Sequence, residues 1–132
     1  MVNQELINNA IEIRERAYVP YSKFKVGAAL LTKSGKVYTG CNIENAAYPV
    51  SLCAERVAIF KAISEGETEF VELAVVADTE RPVPPCGSCR QVMSEFFESE
   101  MNIHLTNLNN NTITVKMDEL LPFSFQKSDM EK

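Results

Sequence analysis

Two short cysteine-containing segments constrain the fold of this chain most strongly. They are Cys53-Ala54-Glu55 and Pro85-Cys86-Gly87-Ser88-Cys89. Each lies at the start of a stretch that predicts a helix, the first largely apolar over Ala54–Ser64 and the second over residues 87–97. Three thiolates hold one metal ion only where they converge. A shared site therefore requires a fold in which the starts of both helices meet.

The remaining elements are predicted from hydrophobic periodicity and turn residues. Residues 4–17 carry the pattern of an amphipathic helix, and a short final helix is expected near residues 118–121. Strands are predicted over residues 24–31, 37–39, 71–77, 103–106 and 112–115. The order αββαβαββ, with its final short helix, indicates an α/β layered sheet with a hairpin at one edge.

Charge and composition exclude several classes of partner. The 132-residue chain has a formal net charge of −5, and no two of its lysines and arginines are adjacent, which argues against a nucleic-acid polymer. No apolar run approaches the roughly 20 residues needed to cross a bilayer, and no signal peptide is visible, so we expect no membrane partner and a cytoplasmic location. In that compartment, clustered cysteines hold metal more often than they form disulfides.

The predicted metal site has the composition of a catalytic zinc centre. Three thiolates, from Cys53, Cys86 and Cys89, leave one position of a tetrahedral zinc ion open for water. Glu55, in the first turn of its helix, is placed to accept a proton from that water without binding the ion. The thiolates and Zn²⁺ sum to one negative charge, which Arg56 would offset; the alternative is a solvated helix arginine.

Beyond these segments, the chain resembles the small, homotetrameric, zinc-dependent cytidine deaminases over nearly its full length. The similar segments are residues 21–30, 40–48, 53–56, 85–91 and 119–122. The resemblance implies a single layered α/β/α domain over residues 1–132, with a mixed five-stranded sheet. It also implies one zinc ion per subunit and hydrolytic deamination of cytidine and deoxycytidine, a step of pyrimidine salvage.

The same resemblance assigns roles to individual residues. Phe24 is expected to pack against the pyrimidine, Asn42 and Glu44 to bind the ribose hydroxyls, and Ala54 and Cys86 to contact the base through their backbones. Arg56 matches an arginine that neutralises the thiolates. Phe125 matches an aromatic residue that enters the site of a neighbouring subunit.

Other interpretations remain open from the residues alone. Phe24 also suits an apolar core, Asn42 and Glu44 a polar turn, and His104 a structural place in its strand. Cys41 is expected to be a small buried hydrophobe, but it would otherwise complete a structural zinc site in an interaction module. A deaminase of a cytosine-nucleoside antibiotic and a nucleotide deaminase are the rival enzymes. The Asn42-x-Glu44 pair and the lack of a cation beside it in sequence favour the nucleoside enzyme.

Overall fold

The computed structural model describes residues 3–131 and contains one five-stranded mixed sheet, in the order β2-β1-β3-β4-β5. Within these residues, four α-helices and two 3-10 turns accompany it. The strands are β1 Val26–Thr32, β2 Val37–Cys41, β3 Phe70–Ala77, β4 Asn102–Asn107 and β5 Thr112–Lys116. The helices are α1 Gln4–Arg14, α2 Ala54–Ser64, α3 Gly87–Phe96 and α4 Met117–Leu120. The predicted α/β class and the mixed sheet are confirmed.

The sheet combines antiparallel pairs with one parallel pair. Strand β1 is antiparallel to both β2 and β3, whereas β3 and β4 run parallel, with α3 as the crossover between them. Strand β5 closes the other edge as an antiparallel partner of β4. Antiparallel pairs therefore form both edges of the sheet, whereas the sequence analysis expected a hairpin at one edge.

Alternate residues of the central strands enter two separate cores. On one face, buried side chains of α2, α3 and α4 pack against the sheet. On the other face, α1 packs alone and contributes Leu6, Ile7 and Ala10. Along β3, for example, Leu73 faces the first core and Ala74 the second. The result is the expected α/β/α layering. Within residues 3–131 no helix has the length and apolar character needed to cross a membrane.

One close contact positions the start of α2 against the sheet. A Cβ atom on Gly40 of β2 would lie 2.5 Å from both the Ala54 carbonyl oxygen and the Ala58 nitrogen. A glycine at this position therefore allows the first turn of α2 to lie directly on β2. Cys53, the N-cap of α2, is held at that junction.

Several predicted boundaries are wrong by one to three residues. Helix α1 ends at Arg14, three residues earlier than predicted, and α3 ends one residue early because the backbone of Phe97 is extended. Strand β1 begins at Val26, so Phe24 precedes it. Lys23 has a φ of 60°, which interrupts an extended chain before Phe24.

Candidate metal centre and active site

Three cysteine side chains converge at one point of the fold. The Sγ atoms of Cys53, Cys86 and Cys89 all lie within 4.8 Å of one another. Cys86 Sγ is 3.8 Å from Cys53 Sγ and 3.4 Å from Cys89 Sγ. A tetrahedral zinc with bonds of ~2.3 Å separates its sulfur ligands by about 3.8 Å. The three thiols therefore fit this metal in donor type and in spacing.

The ends of two helices carry these thiols. Cys53 is the N-cap of α2 and Cys86 the N-cap of α3, and neither helix start has a side-chain cap. Cys89 lies in the first turn of α3. The positive end of a helix dipole favours thiolate over thiol. All three thiols therefore lie at or near a helix N-terminus.

Arg56 is the cation beside the cluster. Its Nη2 lies 3.6 Å from Cys53 Sγ and 3.5 Å from the carbonyl oxygen of Ser51. The neighbouring Cys89 thiol, and then the Arg56 guanidinium, lower the pKa of Cys53 to about 5 against the opposing effect of burial. The Arg56 Nε is buried and has no hydrogen-bond partner within the described residues. Arg56 is therefore a half-buried guanidinium next to a cysteine sulfur. This arrangement does not fit the alternative interpretation, a solvated helix arginine.

Glu55 is buried at the start of α2. Among residues 3–131 it is the one carboxylic acid that is buried, with 4% of its surface exposed. Burial, with a smaller contribution from Cys53, raises the pKa of this carboxyl to about 7. A carboxyl in this position, directly beside the thiol cluster, can both accept and release a proton near neutral pH.

A cavity of about 460 Å³ opens beside the cluster. The predicted substrate residues Phe24, Asn42, Glu44 and Ala54 line it together with Glu55, Arg56, Cys53 and Cys86. The volume suits a small organic ligand. The structure thus brings the predicted metal, proton-transfer and substrate residues together, with Phe125 as the exception.

Hydrogen bonds fix the two polar side chains of the cavity wall. The Asn42 Nδ2 donates to the Phe24 carbonyl oxygen at 2.7 Å, and its Oδ1 accepts from the Val26 N–H at 2.9 Å. Glu44 accepts from the backbone N–H of Tyr21 and Ser22 at 3.0 and 3.1 Å, and from the Ser22 hydroxyl. The bond from the Ser22 hydroxyl is the main cause that lowers the pKa of Glu44.

The structure bears on two interpretations that the residues alone had left open for this wall. Phe24 has 40% of its surface exposed and lines the cavity, so it is not part of an apolar core. The sequence also suggested that no cation accompanies Asn42 and Glu44. In the fold, Lys23 lies close enough to Glu44 to contribute to the lowering of its pKa.

Phe125 does not line this cavity. It is 59% exposed and contributes to a separate groove, between the C-terminal segment and helices α3 and α4. Gln91 Nε2 donates to the Phe125 carbonyl oxygen at 3.0 Å. The aromatic side chain therefore lies outside the cavity beside the thiol cluster.

His104 and Cys41 lie outside the site. His104 is fully buried, with Nδ1 at 2.8 Å from Thr114 Oγ1 and Nε2 at 2.7 Å from Glu72 Oε1. This is the structural place expected for it. Cys41 is buried at the end of β2 and does not belong to the metal-binding group found within the described residues. A four-cysteine structural site is therefore wrong.

Sequence analysis missed part of the cavity wall. Val83, Pro84 and Pro85 line it, as do Tyr48 and Leu52. The proline-rich segment was predicted only as an extended loop. Its position directly before Cys86 was the available signal, because a residue adjacent to a metal ligand also borders the metal site.

The sequence and the fold both match known deaminases. A profile of the cytidine and deoxycytidylate deaminase zinc-binding region matches residues 1–105. The chain is 55% identical over 130 residues to the cytidine deaminase of Halalkalibacterium halodurans, covering 98% of each chain. The crystal structure of cytidine deaminase from Burkholderia pseudomallei superposes with a TM-score of 0.91 at 47% identity, covering 95% of this chain and 100% of that one. The cytidine deaminase structure from Mycobacterium tuberculosis gives a TM-score of 0.81 at 39% identity, over 95% and 98% of the two chains.

A metal centre of three thiols, set at the starts of two helices on this mixed sheet, defines a zinc-dependent deaminase fold. With matches of this extent, the chain belongs to the cytidine and deoxycytidylate deaminase family. Its cofactor is zinc, and the cluster of Cys53, Cys86 and Cys89 is positioned to bind it.

Proposed function

We propose that this protein is a cytidine deaminase that hydrolyses cytidine and deoxycytidine to uridine and deoxyuridine, releasing ammonia. The observation that carries the proposal is the position of Glu55. Its buried carboxyl lines the same cavity as the Cys53 and Cys86 thiols, beside the predicted ribose-binding residues Asn42 and Glu44. A structural zinc site would need no buried acid of this kind.

Glu55 moves the protons of the reaction. Zinc, when bound, supplies a hydroxide nucleophile at neutral pH because it lowers the pKa of water to about 7. Glu55 accepts the proton released by the water and donates it to N3 of the pyrimidine, which makes C4 electrophilic. After attack, Glu55 takes the remaining proton from the oxygen on C4 and delivers it to the departing amine. Water and cytidine thus become uridine and ammonia, and Glu55 returns to its starting state.

The cavity wall orients the nucleoside. Phe24 packs on the pyrimidine, while Asn42 and Glu44 bind the ribose hydroxyls. Backbone groups of Ala54 and Cys86 contact the base. Support for these roles comes from the shared cavity and from the hydrogen bonds that hold Asn42 and Glu44 in fixed orientations. Fixed polar groups reduce the entropy cost of binding a small ligand.

Arg56 offsets the charge of the metal centre. Three thiolates around Zn²⁺ carry one net negative charge, which weakens the acidifying effect of the metal. The guanidinium lies 3.6 Å from Cys53 Sγ and so reduces that excess. In this role Arg56 acts through the thiolates and does not touch the substrate.

The active site is completed by a neighbouring copy in a homotetramer. Phe125 lies outside its own cavity and is 59% exposed on the C-terminal segment. An exposed aromatic ring of this kind is available to a second subunit, whose pocket it would close. In an assembly of closed symmetry each copy would both lend this ring to a neighbour and receive one.

The cellular setting follows from the chemistry. Zinc binding by three thiols requires reduced cysteines, which favours the cytoplasm. Recovery of uridine from cytidine places the reaction in pyrimidine salvage. A single deaminase domain spanning residues 1–132 is supported by the one sheet that carries both hydrophobic cores.

Ammonia release tests the proposal directly. The zinc-loaded protein would be assayed with cytidine, deoxycytidine, free cytosine, cytidine 5′-monophosphate and a cytosine-nucleoside antibiotic. We expect both nucleosides to be deaminated with a higher kcat/KM than the other three compounds. Preference for the antibiotic or the nucleotide would reassign the substrate. The nucleotide is an informative comparison because Lys23 places a cation near Glu44. Full zinc occupancy without release of ammonia from any compound would indicate a structural zinc protein.

A further inference from the structure

Among the described residues, the segment that delivers Cys86 to the metal centre has one hydrogen bond within itself, from the Thr79 hydroxyl to the Arg81 carbonyl oxygen. Residues 79–85 connect β3 to α3, and three of them, Pro82, Pro84 and Pro85, have no N–H to donate. Within residues 3–131, no backbone–backbone hydrogen bond involves this segment. We call residues 79–85 the ligand loop. The carbonyl groups of Thr79, Glu80 and Pro85 accept instead from side chains outside the loop.

Asn107 supplies donors at the start of the ligand loop. Its Nδ2 donates to the carbonyl oxygens of Thr79 at 2.8 Å and Glu80 at 3.1 Å. Its Oδ1 accepts from the N–H groups of Asn109 and Asn111 at 3.0 and 2.9 Å. The side chain is fully buried at the end of β4. Both protons of the amide nitrogen and both lone pairs of its oxygen are therefore in use.

Arg90 supplies a donor at the end of the ligand loop. Its Nε donates to the Pro85 carbonyl oxygen at 2.8 Å, and Pro85 directly precedes Cys86. Its Nη1 donates to the Leu120 carbonyl oxygen, also at 2.8 Å. Leu120 ends α4, where a helix leaves carbonyl groups without intrahelical partners. The guanidinium thus joins the last residue of the ligand loop to a fixed helix end.

We propose that Asn107 and Arg90 are positioning residues that hold the ligand loop at both ends and so fix Cys86 against Cys53 and Cys89. The same loop places Val83, Pro84 and Pro85 on the cavity wall. Both residues act through the loop, and neither lines the cavity. Metal sites depend on residues that orient the metal ligands. Mutation of such an orienting residue typically weakens metal binding about 10- to 100-fold.

Zinc release measures this positioning independently of catalysis. The zinc-loaded protein and the variants Arg90→Gln, Arg90→Lys and Asn107→Asp would be mixed with a chelating indicator. We expect Arg90→Gln to release zinc at least about 10-fold faster than the parent. The zinc-release rate of Arg90→Lys is expected to lie between those of Arg90→Gln and the parent, because one ammonium group cannot keep the paired geometry of the guanidinium fork. Asn107→Asp keeps the acceptor oxygen but places a second oxygen against two carbonyl groups, so it should also release zinc faster.

A matched control separates positioning from general destabilisation. Asn3 caps α1 on the opposite face of the sheet, where its Oδ1 accepts from the Leu6 N–H at 3.1 Å. Asn3→Ala therefore weakens the fold without touching the ligand loop. Asn3→Ala should release zinc at the parental rate. Arg90→Gln should release zinc faster and should also raise the KM for cytidine.

Of the two measurements, only the KM comparison rests on the proposed deaminase function. If the parent deaminates no nucleoside, that function fails, while the zinc-release comparison still decides the role of the loop. Zinc release by both Arg90→Gln and Asn107→Asp within twofold of the parent would overturn the positioning role. Equally fast release from Asn3→Ala would overturn it too. If Asn107→Asp does not fold, the two Arg90 variants decide.

Discussion

Asn42 holds Phe24 at the cavity wall through a hydrogen bond of 2.7 Å from its side-chain amide to the Phe24 carbonyl oxygen. The same side chain accepts a hydrogen bond from the N–H of Val26, the first residue of β1. The position of the aromatic ring therefore depends on an amide that is also proposed to bind ribose. A single residue links the base-binding and the sugar-binding parts of the pocket.

Replacement of Asn42 by aspartate should damage substrate binding. Asn42→Asp retains the acceptor for Val26 but places a carboxylate oxygen against the Phe24 carbonyl. We expect the KM for cytidine to rise about 10-fold or more, since an unpaired polar contact costs roughly 1–3 kcal/mol and 1.4 kcal/mol corresponds to tenfold. Zinc content should not change, because neither residue contacts the thiols.

Asn45→Asp is the matched control for that variant. Asn45 Oδ1 accepts the Ala47 N–H at 2.8 Å, a bond that aspartate can also form. Its KM should match that of the parent. A parental KM in Asn42→Asp would contradict the link between Asn42, Phe24 and the substrate.

Metal analysis of two cysteine variants should separate ligand from non-ligand. Cys86→Ala removes one of the three converging thiols and should lose most of its zinc. Cys41→Ala should keep nearly full occupancy, because Cys41 is buried outside that group. Equal loss of zinc in both variants would contradict the three-ligand site.

Arg56 variants test charge neutralisation at the metal centre. Arg56→Gln can still donate a hydrogen bond to the Cys53 thiolate, whereas Arg56→Ala cannot. We expect Arg56→Ala to lose more zinc or more of its kcat than Arg56→Gln, by a factor within the 10- to 100-fold range typical of residues that support metal ligands. If zinc content and kinetics of both variants equal those of the parent, Arg56 does not have this role.

The C-terminal segment offers a test of the shared active site. Light scattering should report an assembly near four times the 14.8 kDa chain mass. Truncation before Phe123, and the milder change Phe125→Ala, should raise the KM for cytidine while zinc stays bound. Met130→Ala removes another exposed side chain of the segment and should leave the KM unchanged. A fully active monomer at the assay concentration would contradict a site completed by a neighbour.

Sequence patterns predicted the parts of the fold that depend on local chemistry. The starts of α2 and α3 were found because Cys53 and Cys86 immediately precede stretches whose local sequence predicts a helix. The metal ligands followed from residue type and spacing. These features are visible in a few consecutive residues, and they determine which helix ends meet.

Features that depend on distant contacts were not predicted. Phe24 was assigned to β1 because its apolar side chain suits a strand. In the structure its carbonyl oxygen accepts a hydrogen bond from the side chain of Asn42, which is remote in sequence. The proximity of Lys23 to Glu44, and the hydrogen bonds that Asn107 donates to the ligand loop and Arg90 to Leu120, likewise join residues far apart in sequence. Hydrophobic periodicity carries no information about such side-chain donors.

The exchange of Glu55 for glutamine tests the central claim most directly. Glu55→Gln keeps the shape of the side chain but removes the group that carries the proton, so the fold and one zinc per subunit should be retained. The kcat for cytidine should fall by at least ~100-fold, the lower end of the range for general acid–base catalysis. Parallel measurements of zinc content and ammonia release would decide the matter. A zinc-loaded Glu55→Gln protein that works within a few-fold of the parental rate would contradict Glu55 as the proton shuttle.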